Sequence, residues 1–222
     1  MHIINPGPED FHMHSLNFSD GVNTIEELAH WAGKFGLTKI GITDHSQVAI
    51  DTQNWARKGP RSTLKRWKNV HDNGVEVVFG VEGDLLNEAG DICDNIQGET
   101  SSLLILSAHE RIYQGDPQKI TEAYLKAIER HAPKITFLGH PCIYYFEKYL
   151  DISAVIETAN KHQVPLEFNC SNLVNGKTNL ANLAVMLQKA DQIYVNSDAH
   201  VLYELKTVRE AGLEYLREKG LL

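Results

Sequence analysis

Asp10-Phe11-His12-Met13-His14-Ser15 is the stretch from which the fold and the site of this chain are predicted. His12 and His14 are two residues apart, and on a β-strand this spacing places both imidazole rings on the same face. Neutral imidazole is the commonest metal ligand among protein side chains, so two rings on one face can bind one ion. One His-x-His pair is weak evidence, and the rest of the chain decides whether it marks a metal site.

The composition indicates a soluble globular protein. At 222 residues the chain is long enough for a well-buried core, and we expect a single domain over residues 1–222. No apolar run approaches the roughly 20 residues needed to cross a bilayer, and no signal peptide is visible, so we expect a cytoplasmic protein. The net charge of −8 argues against long nucleic acids and anionic membranes as partners. Three cysteines without a CxxC spacing predict buried thiols.

Short apolar runs alternate with helical patterns along the chain. In the first helical pattern, over residues 24–35, Thr24 and Glu27 form a capping box. Alternation of this kind predicts parallel βα units, and seven units in one domain indicate a closed or nearly closed barrel. A doubly wound open sheet is the alternative, but no GxGxxG motif follows the first strand. The seven strands are predicted near residues 10–15, 39–45, 75–86, 102–109, 135–141, 165–171 and 192–200.

The connections between these strands are predicted to be mostly helical. Further helices are expected over residues 116–131, 151–162, 178–190 and 203–219, with Pro117 at the first helical position of the earliest of them. Two connections are long. Residues 46–74 carry a basic run, and residues 87–101 are predicted to form a small hairpin.

Six of the seven predicted strands end in side chains that can bind a metal ion. Because the carboxyl ends of the strands in a parallel barrel meet at one face, these side chains are expected to converge. Histidines and carboxylates without thiolates suit Zn, Mn or Fe rather than Ca. Nine ligands are enough for two or three ions, and adjacent ions suit phosphoester hydrolysis. The nine candidates are His12, His14, Asp20, His45, Glu82, His109, His140, Asp198 and His200.

The motifs DFHMHS, SDG, ITDHS, GVE, SAH, GHP, EFN and NSDAH follow one another in this order between about His12 and His200. Together they resemble the PHP (polymerase and histidinol phosphatase) superfamily, and the stretch over residues 139–172 is similar to the small bacterial PHP phosphatases. The resemblance implies a distorted seven-stranded (β/α)7 barrel of TIM type, with three divalent transition metal ions, Zn, Mn or Fe. It implies one ion bound by His12, His14, Glu82 and Asp198, a second by Glu82, His109 and His140, and a third by Asp20, His45 and His200.

Other residues are expected to support the ligands. Asp10 and Asp44 neighbour ligands in the sequence, and each either orients a ligand or makes a hydrogen bond at a strand end. Glu167 and Asn169, at the end of the sixth predicted strand, either line the site or form a turn.

A cationic phosphate clamp is also expected, because the guanidinium group matches phosphate geometry. Arg111, two residues beyond His109, is the first candidate. Arg61 and Lys65 in the long second loop are the next candidates, although a solvated helix face is the favoured interpretation of that basic run.

The sequence therefore predicts a metal-dependent phosphomonoesterase that acts on a small phosphorylated substrate. A metal-bridging hydroxide would attack phosphorus in line, and Asp198, His200 and Arg111 would support the reaction by stabilising charge. The alternatives are a histidinol-phosphate phosphatase, a phosphodiesterase acting on nucleotides, a non-catalytic metal-binding module, and an amidohydrolase-like C–N hydrolase. The complete ligand set disfavours the module, and the lack of a lysine among the strand-end candidates disfavours the C–N hydrolase. Assembly into a homo-oligomer stays open.

Overall fold

The computed structural model describes residues 1–55 and 74–222. The predicted phosphate-binding candidates Arg61 and Lys65 lie outside these residues. In chain order the strands are β1 (His2–Ile3), β2 (Glu9–Met13), β3 (Lys39–Ile42), β4 (Glu76–Leu85), β5 (Ile92–Cys93), β6 (Asn95–Ile96), β7 (Glu99–Thr100), β8 (Leu103–Ser107), β9 (Phe137–Leu138), β10 (Leu166–Asn169) and β11 (Gln192–Asn196). The α-helices are α1 (Ile25–Lys34), α2 (Gln47–Gln53), α3 (Ile120–His131), α4 (Ile152–Lys161), α5 (Cys170–Val174), α6 (Leu180–Lys189) and α7 (Leu202–Glu218).

A curled parallel sheet forms the framework. Its strands follow the order β1-β11-β10-β9-β8-β4-β3-β2, and all neighbours along this path are parallel. The two ends of the curl meet at their carboxyl ends, where Met13 and Ala199 form a parallel bridge. The backbone N–H of Asp198 donates to the carbonyl of His12 at 2.9 Å, and the N–H of His14 donates to Ala199 at 2.9 Å. The predicted βα barrel is confirmed, and β1 adds a strand that the sequence pattern did not predict.

Several local signals in the sequence act as expected. The Thr24 side chain accepts from the N–H of Glu27, and the Glu27 carboxylate accepts from the N–H of Thr24, so the predicted capping box opens α1. The hairpin predicted over residues 87–101 is present as the antiparallel pair β6 and β7. Its turn passes through Gln97 and Gly98, both at positive φ, a region that Gly adopts without steric cost.

Several boundaries differ from the prediction, and two of the differences have a local cause. A 3-10 helix over Pro117–Lys119 precedes α3, because Lys119 has φ −102° and ψ 11° and so interrupts the α-helical geometry. The sixth predicted strand ends at Asn169 and not at Ser171. The reason is that the Asn169 side chain accepts from the N–H of Asn172 at 2.9 Å and thereby caps α5. The short helices α2 and α5 were not predicted, since neither is long enough to show an apolar period.

An apolar cluster built only from strand residues lies beneath the carboxyl end of the sheet. Ile105, Phe137 and Tyr194 belong to it, and the Phe137 and Tyr194 rings lie 4.6 Å apart. Val78 packs against the same cluster and lies on the same face of β4 as Glu82, because side chains alternate along a strand. The larger apolar core contains the buried faces of the helices. This cluster therefore separates the polar side chains at the carboxyl end from the ion pair of Lys39 and Glu76 at the amino end.

The cysteines are buried and free, as predicted. Burial raises the pKa of the Cys142 thiol to about 12. Its sulfur lies 3.7 Å from the sulfur of Met186, so this side chain packs in the core. Within the described residues, no helix combines the length and the hydropathy needed to cross a bilayer.

Arg209 of α7 joins the N-terminal segment to the sheet. Its side chain is only 7 % exposed. The guanidinium donates from Nε to the carbonyl of Val195 at 3.0 Å, and from Nη2 to the carbonyls of Asn5 at 2.7 Å and Gly7 at 3.0 Å. A buried carbonyl that loses its donor destabilises the fold, so this cation holds together three segments distant in sequence.

We expect Arg209→Ala to lower the free energy of unfolding by about 3 kcal/mol, because three carbonyls lose a charged donor. Urea denaturation followed by circular dichroism measures the change. Arg217→Ala is the matched control, since its guanidinium pairs with Glu210 and Glu214 at the exposed surface and such pairs contribute little. Equal stability of the two variants would contradict the structural role assigned to Arg209.

Candidate metal centre

The nine predicted ligands lie together at the carboxyl end of the sheet. Eight of them line one cavity of about 390 Å³. The ninth, His12, is buried behind it, with its Nε2 atom 3.2 Å from Nε2 of His14. Each of the nine has a ring nitrogen or carboxylate oxygen within 3.6 Å of such an atom on another of them.

Glu82 of β4 occupies the middle of this cluster. Its backbone N–H donates to the carbonyl of Asp44 at 3.0 Å, and its carboxylate faces five imidazole rings. A single carboxylate surrounded in this way is placed to bridge cations. The five closest approaches are 2.8 Å to His140, 2.9 Å to His45, 3.4 Å to His109, and 3.5 Å to each of His12 and His14.

Three overlapping groups of side chains have ligand atoms close enough together to hold an ion. His14 and His45 each belong to two of the groups, and His140 lies beside the second through its contact with Glu82. The groups are similar to the three ligand sets that the resemblance to the PHP superfamily implies, with these two histidines shared between neighbours. They are His12, His14 and Asp198; His45, Glu82 and His109; and His14, Asp20, His45 and His200.

Unsatisfied atoms at the centre fit a bound cation. Nδ1 of His45 and Oε2 of Glu82 lie 2.9 Å apart. Both atoms are buried, and although they face each other as an ion pair, neither makes a hydrogen bond of normal geometry with a described residue. Buried polar atoms are normally paired, because an unpaired one costs desolvation free energy. A divalent cation would satisfy both atoms, and a set of imidazoles and carboxylates is typical of transition metal ions.

Glu167 of β10 fixes the orientation of two candidate ligands. Its Oε1 atom lies 2.8 Å from Nδ1 of His12, and its Oε2 atom accepts from the backbone N–H of His140 at 2.8 Å. Asn169 and Asn196 donate to the same carboxylate. A carboxylate bonded to Nδ1 of an imidazole directs Nε2 toward a metal. The geometry therefore places Glu167 beside the candidate ligands, in a supporting role, and not in a turn.

Asp84 and Ser19 also orient candidate ligands, although neither residue was predicted from the sequence. Asp84 is fully buried on β4, with Oδ1 2.6 Å from Nδ1 of His109, and its other oxygen accepts from Ser46 at 2.6 Å. The Ser19 hydroxyl lies 2.9 Å from Nδ1 of His14. The sequence does contain a signal for Asp84. This residue follows Glu82 by two positions, and residues two apart on a strand lie on the same face.

The predicted supporting residues Asp10 and Asp44 bind backbone. Asp10 accepts from the N–H of Ser197 at 3.1 Å and of His12 at 3.4 Å. Asp44 accepts from the N–H and the hydroxyl of Ser15, both at 2.5 Å. Burial raises the pKa of Asp44 to about 7. These carboxylates hold the chain segments that carry the candidate ligands.

Asn169 combines the two roles that the sequence left open. Besides capping α5, its Nδ2 atom donates to Oδ2 of Asp198 at 3.0 Å. Asp198 itself adopts φ 54° and His140 adopts φ 30°, in the left-handed region where L residues are strained. Such strain is concentrated at functional sites, where surrounding contacts enforce it.

Asp20 reaches the cluster from the loop after β2. Its Oδ1 atom lies 3.2 Å from Nε2 of His200 and 3.6 Å from Nε2 of His45. The following residue, Gly21, packs so closely on the backbone of His14 that a Cβ atom would overlap the His14 carbonyl oxygen. Glycine at this position therefore allows the loop to lie over the site.

The carboxylates and imidazoles of the cluster shift one another's pKa. Burial opposes ionisation of Glu82, but the neighbouring imidazoles, His109 most strongly, hold the pKa of its carboxyl well below the usual range. Burial and the positive charges nearby lower the pKa of His14 to about 3, so this ring is neutral. Burial lowers the pKa of the His200 ring, but the hydrogen bond with Asp20 acts against it, and the pKa is raised to about 9.

Several neutral and cationic side chains complete the wall of the cavity. Arg111 lies there, as predicted for a phosphate clamp, together with Lys177, Tyr145 and Asn172. The Trp55 ring stacks on His45 with their centroids 5.1 Å apart. Lys177, Tyr145 and Asn172 were not predicted, because they belong to connections whose sequence shows no periodic pattern.

The chain is similar to named phosphatases over most of its length. It is 29 % identical over 213 residues to a probable phosphatase YcdX of Escherichia fergusonii, covering 92 % of this chain and 83 % of that protein. It is 26 % identical over 210 residues to the probable phosphatase YcdX of Escherichia coli K12, covering 91 % and 82 %.

Two solved structures share the fold. A putative histidinol phosphatase from Listeria monocytogenes superposes with a TM-score of 0.57 at 15 % identity, covering 91 % of this chain and 99 % of that one. A histidinol phosphate phosphatase from Lactococcus lactis, complexed with zinc, L-histidinol and phosphate, superposes with a TM-score of 0.51 at 13 % identity, covering 92 % and 93 %. The family model of the PHP domain matches residues 10–194. The chain belongs to the PHP domain family.

Proposed function

We propose that this protein is a metal-dependent phosphatase that hydrolyses phosphate monoesters of small molecules at a trinuclear centre. The observation that carries the proposal is the buried carboxylate of Glu82, which faces five imidazoles and keeps an unsatisfied oxygen. The predicted enzyme class agrees with the names of the relatives and with the PHP family match. The fold neighbour from L. lactis holds zinc and phosphate, which supports the same kind of ligands here.

The nine clustered side chains would hold the ions in the three sets that the family resemblance implies, with Glu82 contributing to two of them. Zn, Mn and Fe all suit these donors. When bound, such ions neutralise phosphate oxygens and lower the pKa of a coordinated water, which supplies a nucleophile near neutral pH. Glu167, Asp84 and Ser19 keep the ligand rings oriented without touching the ions themselves.

Arg111 is the proposed clamp for the phosphate group. It lines the same cavity as the ligand cluster, and it follows the candidate ligand His109 by two residues. A guanidinium can bind two phosphate oxygens at once, which fixes the orientation of the ester as well as its charge. The cavity of about 390 Å³ is of the size that holds a small molecule.

The purified protein is expected to hydrolyse p-nitrophenyl phosphate. A chelator should abolish the activity, and Mn²⁺ or Zn²⁺ should restore it, because the phosphate-binding charge comes from the ions. His12→Ala and Asp198→Ala should each lower kcat at least about 100-fold, since each removes a proposed ligand. Release of p-nitrophenolate measures the rate.

His2→Ala is the control for these variants, because His2 is exposed in β1 and pairs with Gln192 at the amino end of β11, whereas the cluster lies at the carboxyl ends of the strands. It should hydrolyse the ester as the unmodified protein does. A protein shown to contain its metals but unable to hydrolyse any of a panel of phosphate monoesters would overturn the proposed function.

Arg111→Ala is expected to raise KM for p-nitrophenyl phosphate about tenfold or more while the metal content stays unchanged. The reason is that a charged hydrogen bond to substrate contributes roughly 1.5–3 kcal/mol. The KM of Arg111→Lys should fall between those of the unmodified protein and Arg111→Ala, because lysine keeps the charge but loses the planar guanidinium group. An unchanged KM in Arg111→Ala would show that Arg111 does not bind the phosphate group of the substrate.

Glu167→Gln is expected to weaken metal binding about 10- to 100-fold, because the amide that replaces the carboxylate no longer fixes Nδ1 of His12. Competition with a coloured chelator measures the affinity. Glu157→Gln provides the same chemical change on α4, at a carboxylate 72 % exposed and paired with Lys189. Equal affinities of the two variants would show that Glu167 does not support the centre.

A further inference from the structure

A second, smaller cavity adjoins the main one beside His140. Its volume is about 10 Å³, close to the roughly 10–15 Å³ that one water molecule needs. His140, Ile143 and Asn172 line both cavities. The small cavity therefore lies against one of the proposed metal ligands.

Two unsatisfied polar atoms belong to side chains in its wall. They are Nδ1 of His140 and Nδ2 of Asn172, on side chains of residues that are only 5 % and 6 % exposed. Neither atom has a hydrogen-bond partner in the part of the chain that the structure describes. Two such atoms at one cavity of this size indicate a small polar occupant, because buried polar groups are generally paired with protein or water.

His140 differs from His12 and His109 in what supports its ring. Nδ1 of His12 lies against Glu167, and Nδ1 of His109 lies against Asp84. His140 directs Nε2 to the carboxylate of Glu82 at 2.8 Å, which leaves Nδ1 on the opposite side of the ring. A ligating imidazole almost always donates its other N–H to a partner, and here none of the described residues supplies one directly.

We propose that one water molecule binds in the small cavity and links Asn172 to His140, which makes Asn172 a positioning residue of the metal centre. The inference rests on the proposed function, since it takes Nε2 of His140 as a metal ligand. With Nε2 bound to metal, Nδ1 carries a proton and donates to the water, and Nδ2 of Asn172 donates as well. Thr178 also lines the cavity, and its hydroxyl offers an acceptor for one of the water hydrogens.

Direct binding of substrate by Asn172 is the competing role, because this residue also lines the main cavity. The shared small cavity favours the water, since it accounts for both unsatisfied atoms at once. The two roles differ in what a substitution changes. A water-mediated contact affects metal affinity, whereas a substrate contact affects KM alone.

The test compares Asn172→Leu with Asn172→Ser. The zinc affinity of each variant is measured by competition with a chelator, with Zn²⁺ as the only added metal ion. Leucine has a similar size to asparagine but cannot bind the water, so the affinity for the most weakly held zinc should fall about tenfold or more. Serine keeps a hydroxyl and leaves room for water, so its affinity should stay within about threefold of the unmodified protein. Asn182→Leu is the control, because Asn182 also has an unsatisfied Nδ2 but lies on α6 and lines neither cavity.

Each other outcome overturns the inference in a recognisable way. Unchanged zinc affinity with a raised KM in Asn172→Leu would assign Asn172 to substrate binding. A larger loss in serine than in leucine would indicate packing alone. A crystal structure of the zinc-loaded protein without a water between the two atoms would also refute it. If the unmodified protein binds no zinc, the proposed function fails together with the inference, whereas normal zinc binding in all variants refutes the inference alone.

Discussion

The constraint on which the site depends is the burial of the Glu82 carboxylate among imidazole rings. A buried carboxylate is costly unless positive charge and hydrogen bonds compensate it. The protein supplies part of the compensation through Ser107, whose hydroxyl donates to Oε1 at 2.8 Å, and through the charges on neighbouring rings. Oε2 keeps no hydrogen-bond partner among the described residues. A cation that enters the centre can therefore compensate the remaining negative charge of Glu82. This is the physical basis of the proposed affinity for divalent ions.

The parallel sheet allows one carboxylate to meet so many distant residues. Parallel strands deliver their carboxyl ends to one edge, and the bridge between Met13 and Ala199 brings the two ends of the curled sheet together there. Without this contact the β2 histidines and Asp198 would lie at opposite ends of an open sheet. Beneath the edge, the strand-only apolar cluster around Ile105 and Phe137 fills the concave face. Polar groups are concentrated in a shallow layer, where their electrostatic interactions are strong.

How much the sequence predicts depends on whether a residue acts through its position along a strand. The His12 and His14 pair, and Glu82 on β4, follow from alternation, because a strand decides which side chains share a face. Alternation also places Asp84 beside Glu82, but it does not reveal that the partner of Asp84 is the ring of His109. Asn172 and Lys177 lie in a short helix and a connection, where no period exists to indicate direction. Arg209 shows a similar limit, since its guanidinium binds the carbonyls of Asn5 and Gly7, which lie more than 200 residues away in sequence.

The division between strands and connections also separates two tasks of the site. The proposed ligands and the carboxylates that orient them come largely from strand ends, so the sheet fixes their positions. The side chains available to a substrate, Arg111, Tyr145 and Lys177, come from connections. Connections can change shape or sequence with little effect on the sheet, because they carry few of its hydrogen bonds. Under the proposed function, the framework would thus determine metal binding, while the loops above it would determine the choice of phosphate ester. Asn172 stands at the junction of the two, since it belongs to a connection yet borders His140.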